Sequence, residues 1–163
     1  MTILASPLVR TSPLGQIAAQ LAARTDLWRP LVRYDQQTRY YVRLDSEPGY
    51  EAWLLTWLPG QGTLWHDHGG SAGAFATVQG TLTERRAIPL GNGSARIVPG
   101  EKRLSDSAVR PFGRHHIHQV TNAGPLPAVS LHVYAPSLSE MNEYEPRGSL
   151  LSLSRSQLAG ANW

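Results

Sequence analysis

Apolar positions recur at two different periods along the chain. Between Ser12 and Arg29 they fall at Leu14, Ile17, Ala18, Leu21 and Ala22, one stripe at helical spacing. Ser12 suits the cap of that helix, Pro13 its first turn, and Arg29-Pro30 its end. From residue 38 onward the pattern changes to short strands. Arg39-Tyr40-Tyr41-Val42-Arg43-Leu44 is rich in strand formers. Ala52-Trp53-Leu54-Leu55-Thr56-Trp57-Leu58 is nearly all apolar, which predicts a strand buried on both faces. Gly73 to Val78 is a third strand, and Gly80 turns the chain into Thr81 to Arg85. Gly91-Asn92-Gly93 predicts a hairpin between Ala87 to Leu90 and Ala95 to Val98. Further strands are predicted over 116–120 and 128–134. The tail from Ser149 reads as helical at Leu150, Leu151 and Leu153. The expectation is a mainly β fold, an antiparallel barrel or sandwich. It is expected to be a single domain over 1–163. A helical segment at 1–37 precedes a barrel core at 38–137 and a tail at 138–163.

Composition narrows the classes of function. A chain of 163 residues is long enough for a full core. Cysteine is absent, which removes disulfides, thiolate ligands and cysteine nucleophiles. The net charge of +3 rests almost wholly on arginines, because Lys102 is the sole lysine. They are spread along the chain, with only Arg85-Arg86 adjacent, unlike the clusters of a nucleic-acid surface. No apolar run approaches the ~20 residues that span a bilayer. Met1-Thr2-Ile3-Leu4 lacks the basic start of a leader peptide. The expectations are a cytoplasmic address, which this composition allows, a monomer, and no nucleic-acid or membrane partner.

Histidine is confined to two regions. His66 and His68 flank Asp67, and His115, His116, His118 and His132 lie beyond residue 114. In a strand, residues two apart share a face, so His66 and His68 can aim at one ion while Asp67 points away. A solvent-facing pair with no ligand has the same pattern. The distant cluster favours the metal, with His118, His115 and His116 competing for a third position. Trp65, next to His66, is placed to line an entrance.

Spacing ties these features together. Gly60 precedes His66-x-His68, with Gly73 and Gly80 following, and His118 is followed after three residues by Asn122. This resembles the two motifs of the cupin jelly-roll barrels, with Gly73 where a glutamate is usual. The asparagine favours His118 as the third histidine. The stretches Leu58 to His68, Gly80 to Glu84 and Pro127 to Tyr134 further resemble the cysteine dioxygenase family. That resemblance implies Fe(II) on His66, His68 and His118, and oxidation of L-cysteine by O2 to cysteine sulfinic acid. It implies an outer-sphere array of Ser130, His132 and Tyr134. It also implies that Tyr41-Val42-Arg43 matches a Tyr-x-Arg whose arginine clamps the substrate carboxylate. On pattern alone Arg43 is a surface arginine and His132 a hydrogen-bonded core residue. Members acting on 3-mercaptopropionate often carry glutamine at the arginine position, so Arg43 favours cysteine. A cupin that binds a metal or ligand without catalysis is the alternative from another class. Two departures stand out. Gly73 replaces the cysteine that mammalian-type members cross-link to the tyrosine, as in bacterial-type members. Tyr134-Ala135-Pro136-Ser137 replaces the usual Tyr-Ser-Pro-Pro.

Overall fold

A computed structural model describes residues 12–159, the side chains of Asp45 and Ser46 excepted. Trp163 and the amino-terminal residues read above for a leader lie outside the described residues. The chain opens with helices α1 (Pro13–Ala23) and α2 (Thr25–Trp28) and a 3-10 turn at Arg29–Leu31. Twelve strands follow: β1 (Tyr41–Glu47), β2 (Tyr50–Trp57), β3 (Trp65–Asp67), β4 (Ala72–Gln79), β5 (Leu82–Gly91) and β6 (Ser94–Ile97), then β7 (Lys102–Leu104), β8 (Val109–Phe112), β9 (Ile117–Thr121), β10 (Ala128–Ala135), β11 (Glu140–Arg147) and β12 (Leu150–Leu158). They form a five-stranded sheet, β1-β2-β10-β4-β8, and a second sheet, β6-β12-β11-β3-β9-β5-β7. The second sheet closes on itself because β6 also pairs with β5. This is the mainly β barrel that the sequence predicts.

Three layers of apolar side chains explain the sequence pattern. The outer face of the five-stranded sheet carries Ala52, Leu54, Ala74, Ala76, Leu131 and Val133, and the helices cover it with Ala18, Leu21 and Trp28. Its inner face carries Leu55, Trp57, Phe75 and Tyr134, packed with Leu82 and Val120 of the second sheet. Strands β2, β4 and β10 are thus covered on both sides, which is why they read as unbroken apolar runs. Burying one such Leu or Phe fully stabilises by roughly 1.5–3 kcal/mol. A third cluster, Trp65, Ala87, Ala95, Ile117 and Leu151, fills the closed part of the second sheet.

The tail differs from its expected helical form. Strands β11 and β12 pair in antiparallel register from Glu140↔Leu158 to Arg147↔Leu150, and β11 also pairs with β3. Leu151 is buried while Leu150 and Leu153 are exposed, so the three leucines do not form one apolar face. Ser12 does flank the first helix, but its side chain makes no cap bond. Gln16 instead donates its N–H to the Ser12 carbonyl at 2.9 Å. The Ala135–Pro136 peptide bond is cis.

Candidate metal centre and substrate cavity

The second sheet delivers the three histidines by register. His66 on β3 lies directly opposite His118 on β9, and His68 follows two residues along the same face. Their ring nitrogens come within 4.8 Å of one another. All three side chains are buried. Asp67 points to the opposite face and accepts hydrogen bonds from Tyr144 Oη at 2.6 Å and Asn142 Nδ2 at 2.8 Å. Trp65 shares that opposite face and packs in the third cluster, so it does not line the entrance beside His66.

Hydrogen bonding leaves the right nitrogens for an ion. His66 Nδ1 donates to the Leu64 carbonyl at 2.9 Å, which leaves Nε2 with its lone pair. His118 Nδ1 donates to Glu84 Oε1 at 2.9 Å, which leaves its Nε2 in the same state. His68 is the informative residue: both of its ring nitrogens are buried and neither has a hydrogen-bond partner. An unpaired buried polar atom carries a penalty of about 1–3 kcal/mol, which a metal ion on one ring nitrogen would offset at that atom. Burial, and then repulsion among the histidines, holds His66 and His68 well below the ordinary imidazole pKa. Burial likewise lowers His118 to about 4, against the opposing pull of Glu84. All three are therefore neutral near pH 7, the form that ligates. These three residues fit a divalent cation.

A second array faces the same cavity from β10. Ser130, His132 and Tyr134 alternate on one face of that strand. Trp57 Nε1, a donor only, gives its hydrogen to Ser130 Oγ at 2.8 Å. Ser130 Oγ lies 2.8 Å from His132 Nε2, the acceptor for its own proton. His132 Nδ1 then keeps a hydrogen for Tyr134 Oη, 3.3 Å away. Tyr134 enters the cavity as a hydrogen-bond donor in consequence. Burial lowers His132 to about 3 and pushes the Tyr134 hydroxyl above its ordinary value, so neither ionises near neutrality.

The cavity is lined by His66, His118, His132 and Tyr134 together with Arg39, Leu55, Trp57 and Val120. Arg43 is not among the lining residues. It is half-exposed, its guanidinium pairs with the buried Glu51 carboxylate, and it lies over the Trp53 ring at 5.2 Å. Tyr41 packs edge-on against the same Trp53, 6.1 Å between ring centroids, and does not line the cavity either. Arg43, the arginine expected as the clamp, thus lies outside the cavity lining. Four residues along an extended chain, the separation of Arg39 from Arg43, move a side chain by roughly 13 Å without changing its face. Arg39 occupies the position that reaches inside. Thr56 donates its N–H to the Tyr40 carbonyl at 2.9 Å, extending the β1–β2 ladder by a residue. Arg39 then lies over the Trp57 ring at 4.9 Å. Gln61 anchors the approach by donating to the carbonyls of Asp35 and Thr38. Burial lowers the Arg39 pKa, opposed by Tyr134 and Tyr41.

Comparison with known proteins gives the family and the fold. The pattern of the family described as cysteine dioxygenase type I matches residues 2–147. The chain belongs to that family. Cysteine dioxygenase type 1 of Homo sapiens is 25% identical over 126 residues, covering 74% of this chain and 62% of the human protein. The Bos taurus protein of the same name is 26% identical over the same share. The chain therefore spans less than two thirds of the length of these cysteine dioxygenases. Among solved structures, a Thermus thermophilus protein superposes with TM-score 0.56 at 23% identity, over 67% of this chain and 93% of its own. A Klebsiella pneumoniae protein with a double-stranded β-helix domain gives 0.55 at 16% identity, over 78% and 93%. These likenesses show the fold, a double-stranded β-helix.

Gly73, read in the sequence as standing in place of a cysteine, is tightly enclosed. It lies opposite Tyr134 on one side and Phe112 on the other. A β-carbon at Gly73 would come within 2.5 Å of the Phe112 ring and 2.7 Å of the Val133 carbonyl oxygen. Phe112 fills the space beside His68, stacked on it at 4.8 Å. Introducing Gly73→Cys therefore lowers stability, by about 1–3 kcal/mol. Chemical denaturation checks this; an unchanged midpoint would show that Phe112 yields freely.

Several residues at the site carried weaker signals. Arg39 shares a strand face with Tyr41 and Arg43, so period alone does not separate them. Glu84 is a carboxylate two residues from buried Leu82, on the apolar phase of β5, which was the available sign. Met141, Glu143 and Gln157 reach the cavity from the tail strands. His115 is exposed, and His116 is bonded to Glu84 at 2.8 Å.

Proposed function

We propose that the protein is a non-haem Fe(II) thiol dioxygenase that oxidises L-cysteine with O2 to cysteine sulfinic acid. His66, His68 and His118 hold the iron. The observation that carries this reading is one cavity lined by His66 and His118 of the three-histidine cluster together with Arg39 and Tyr134. Three neutral imidazoles would leave a bound ferrous ion its full charge, and the ion would supply the redox chemistry between the thiol and O2. Arg39 takes the substrate carboxylate through parallel N–H bonds. Tyr134 donates to the substrate from the other side. Trp57, Ser130 and His132 keep that hydroxyl aimed by the hydrogen-bond chain described above. Leu55, Val120 and the Trp57 ring exclude water around the sulfur. Both atoms of O2 end on sulfur, and the thiol proton is released with the sulfinate.

Arg39 recognises a carboxylate, so 3-mercaptopropionate or another mercapto-acid is the alternative substrate. A cupin that only binds its ligand has no use for the Ser130-His132-Tyr134 chain. Tyr134→Phe tests the catalytic reading. It is expected to lower kcat for sulfinate formation on the order of 100-fold while leaving iron content intact. Full turnover by that variant would remove Tyr134 from the chemistry.

A further inference from the structure

We propose that Glu84 is the positioning residue of the metal centre, holding His118 in the tautomer and orientation that ligate. The proposal rests on the reading of His118 as a metal ligand. Glu84 sits on β5 directly across from Val120 of β9, so its diagonal neighbour on that strand is His118. Its side chain is wholly buried, yet it carries a carboxylate. Three donors converge on it: His118 Nδ1 at 2.9 Å and His116 Nε2 at 2.8 Å on Oε1, and Arg110 Nε at 2.6 Å on Oε2. Arg110 also donates to the Pro111 carbonyl at 3.1 Å, which ties the guanidinium to its own strand. His116 is clamped in turn, stacked on Phe112 at 5.0 Å. Glu84 is thus fixed from two sides and passes that rigidity to His118. An ionised carboxylate only accepts, so the Nδ1 hydrogen must lie on its side of the ring and the Nε2 lone pair on the metal side.

Glu84, His116 and His118 could also be read as a second metal cluster, because their ligand atoms fall within 4.8 Å of one another. Arg110 argues against that. Its guanidinium already occupies the outer oxygen of Glu84, where another cation would be repelled. The two histidines already use their facing nitrogens as donors to the inner oxygen. This gives His116 its place: it holds the carboxylate that holds the ligand.

The test is metal affinity, measured by chelator competition, with the visible ligand-field spectrum of the Co(II)-substituted protein as a second readout. Wild-type protein is expected to bind Co(II) with all three imidazoles. Glu84→Gln is expected to weaken binding roughly 10- to 100-fold and to shift the Co(II) bands. Glu84→Asp keeps the charge with a shorter reach and is expected to fall between the two. It carries the test should the glutamine variant fold poorly. Leu54→Ala, in the layer under the helices, is expected to lose stability while keeping affinity and spectrum. Wild-type affinity and an unshifted spectrum in the Glu84 variants would overturn the proposal. A wild-type protein that takes up no divalent ion would overturn the metal reading itself, and this proposal with it.

Discussion

Arg39→Gln is expected to raise the KM for L-cysteine on the order of 10- to 100-fold, with iron content unchanged. Arg43→Gln is expected to leave the KM where it was. The difference follows from where the two guanidiniums lie. Arg39 lines the cavity beside Trp57, and Arg43 pairs with Glu51 at the half-exposed end of the sheet. A charge-assisted hydrogen bond in a desolvated site contributes about 1.5–3 kcal/mol, which gives the stated factor. Arg43→Gln instead leaves the buried Glu51 carboxylate without its cation, so its effect is a loss of stability. Steady-state kinetics on both variants, with thermal melts alongside, separate the two roles. A large KM effect from Arg43→Gln and none from Arg39→Gln would return the clamp to Arg43.

The second large effect concerns His68. The His68→Leu substitution is expected to abolish metal uptake and turnover, and to stabilise the metal-free protein. Both outcomes come from one feature: two buried ring nitrogens without partners, packed against the rings of Phe112 and Tyr134. Leucine is close to histidine in volume and has nothing to desolvate. Relieving the unpaired imidazole should add about 1–3 kcal/mol to metal-free stability. Denaturant unfolding of both proteins in excess chelator measures it. A less stable His68→Leu protein would mean that the nitrogens have partners the geometry does not include.

Parts of this architecture are legible in residues alone, and the reason is physical. Strands β2, β4 and β10 announce themselves because helices cover one face and the second sheet the other. The histidine pair is legible because spacing by two in a strand is spacing on a face. Asp67 points away from the three-histidine cluster for the same reason. The same rule does not choose between the arginines: Arg39 and Arg43 alternate in phase with Tyr41, and the ladder with β2 shows that Arg39 meets Trp57 and Arg43 meets Trp53. The tail misleads because Leu150, Leu151 and Leu153 mimic a helical stripe. In the fold only Leu151 enters the closed barrel, and Leu150 and Leu153 stand on its outside. Glu84 is hidden by context of another kind. A lone carboxylate on the apolar phase of a strand has meaning only once Arg110, His116 and His118 have been brought round it.

The most direct test of the central claim is oxygen consumption by the protein loaded anaerobically with Fe(II). L-cysteine and 3-mercaptopropionate would be supplied in parallel, using isotopically heavy O2 and mass spectrometry of the product. The account predicts one O2 consumed per cysteine and a sulfinate carrying both heavy oxygen atoms, with all turnover lost in His118→Ala. Uptake with 3-mercaptopropionate alone would keep the site and change its substrate. A fully iron-loaded protein that consumes no oxygen with either thiol would contradict the account.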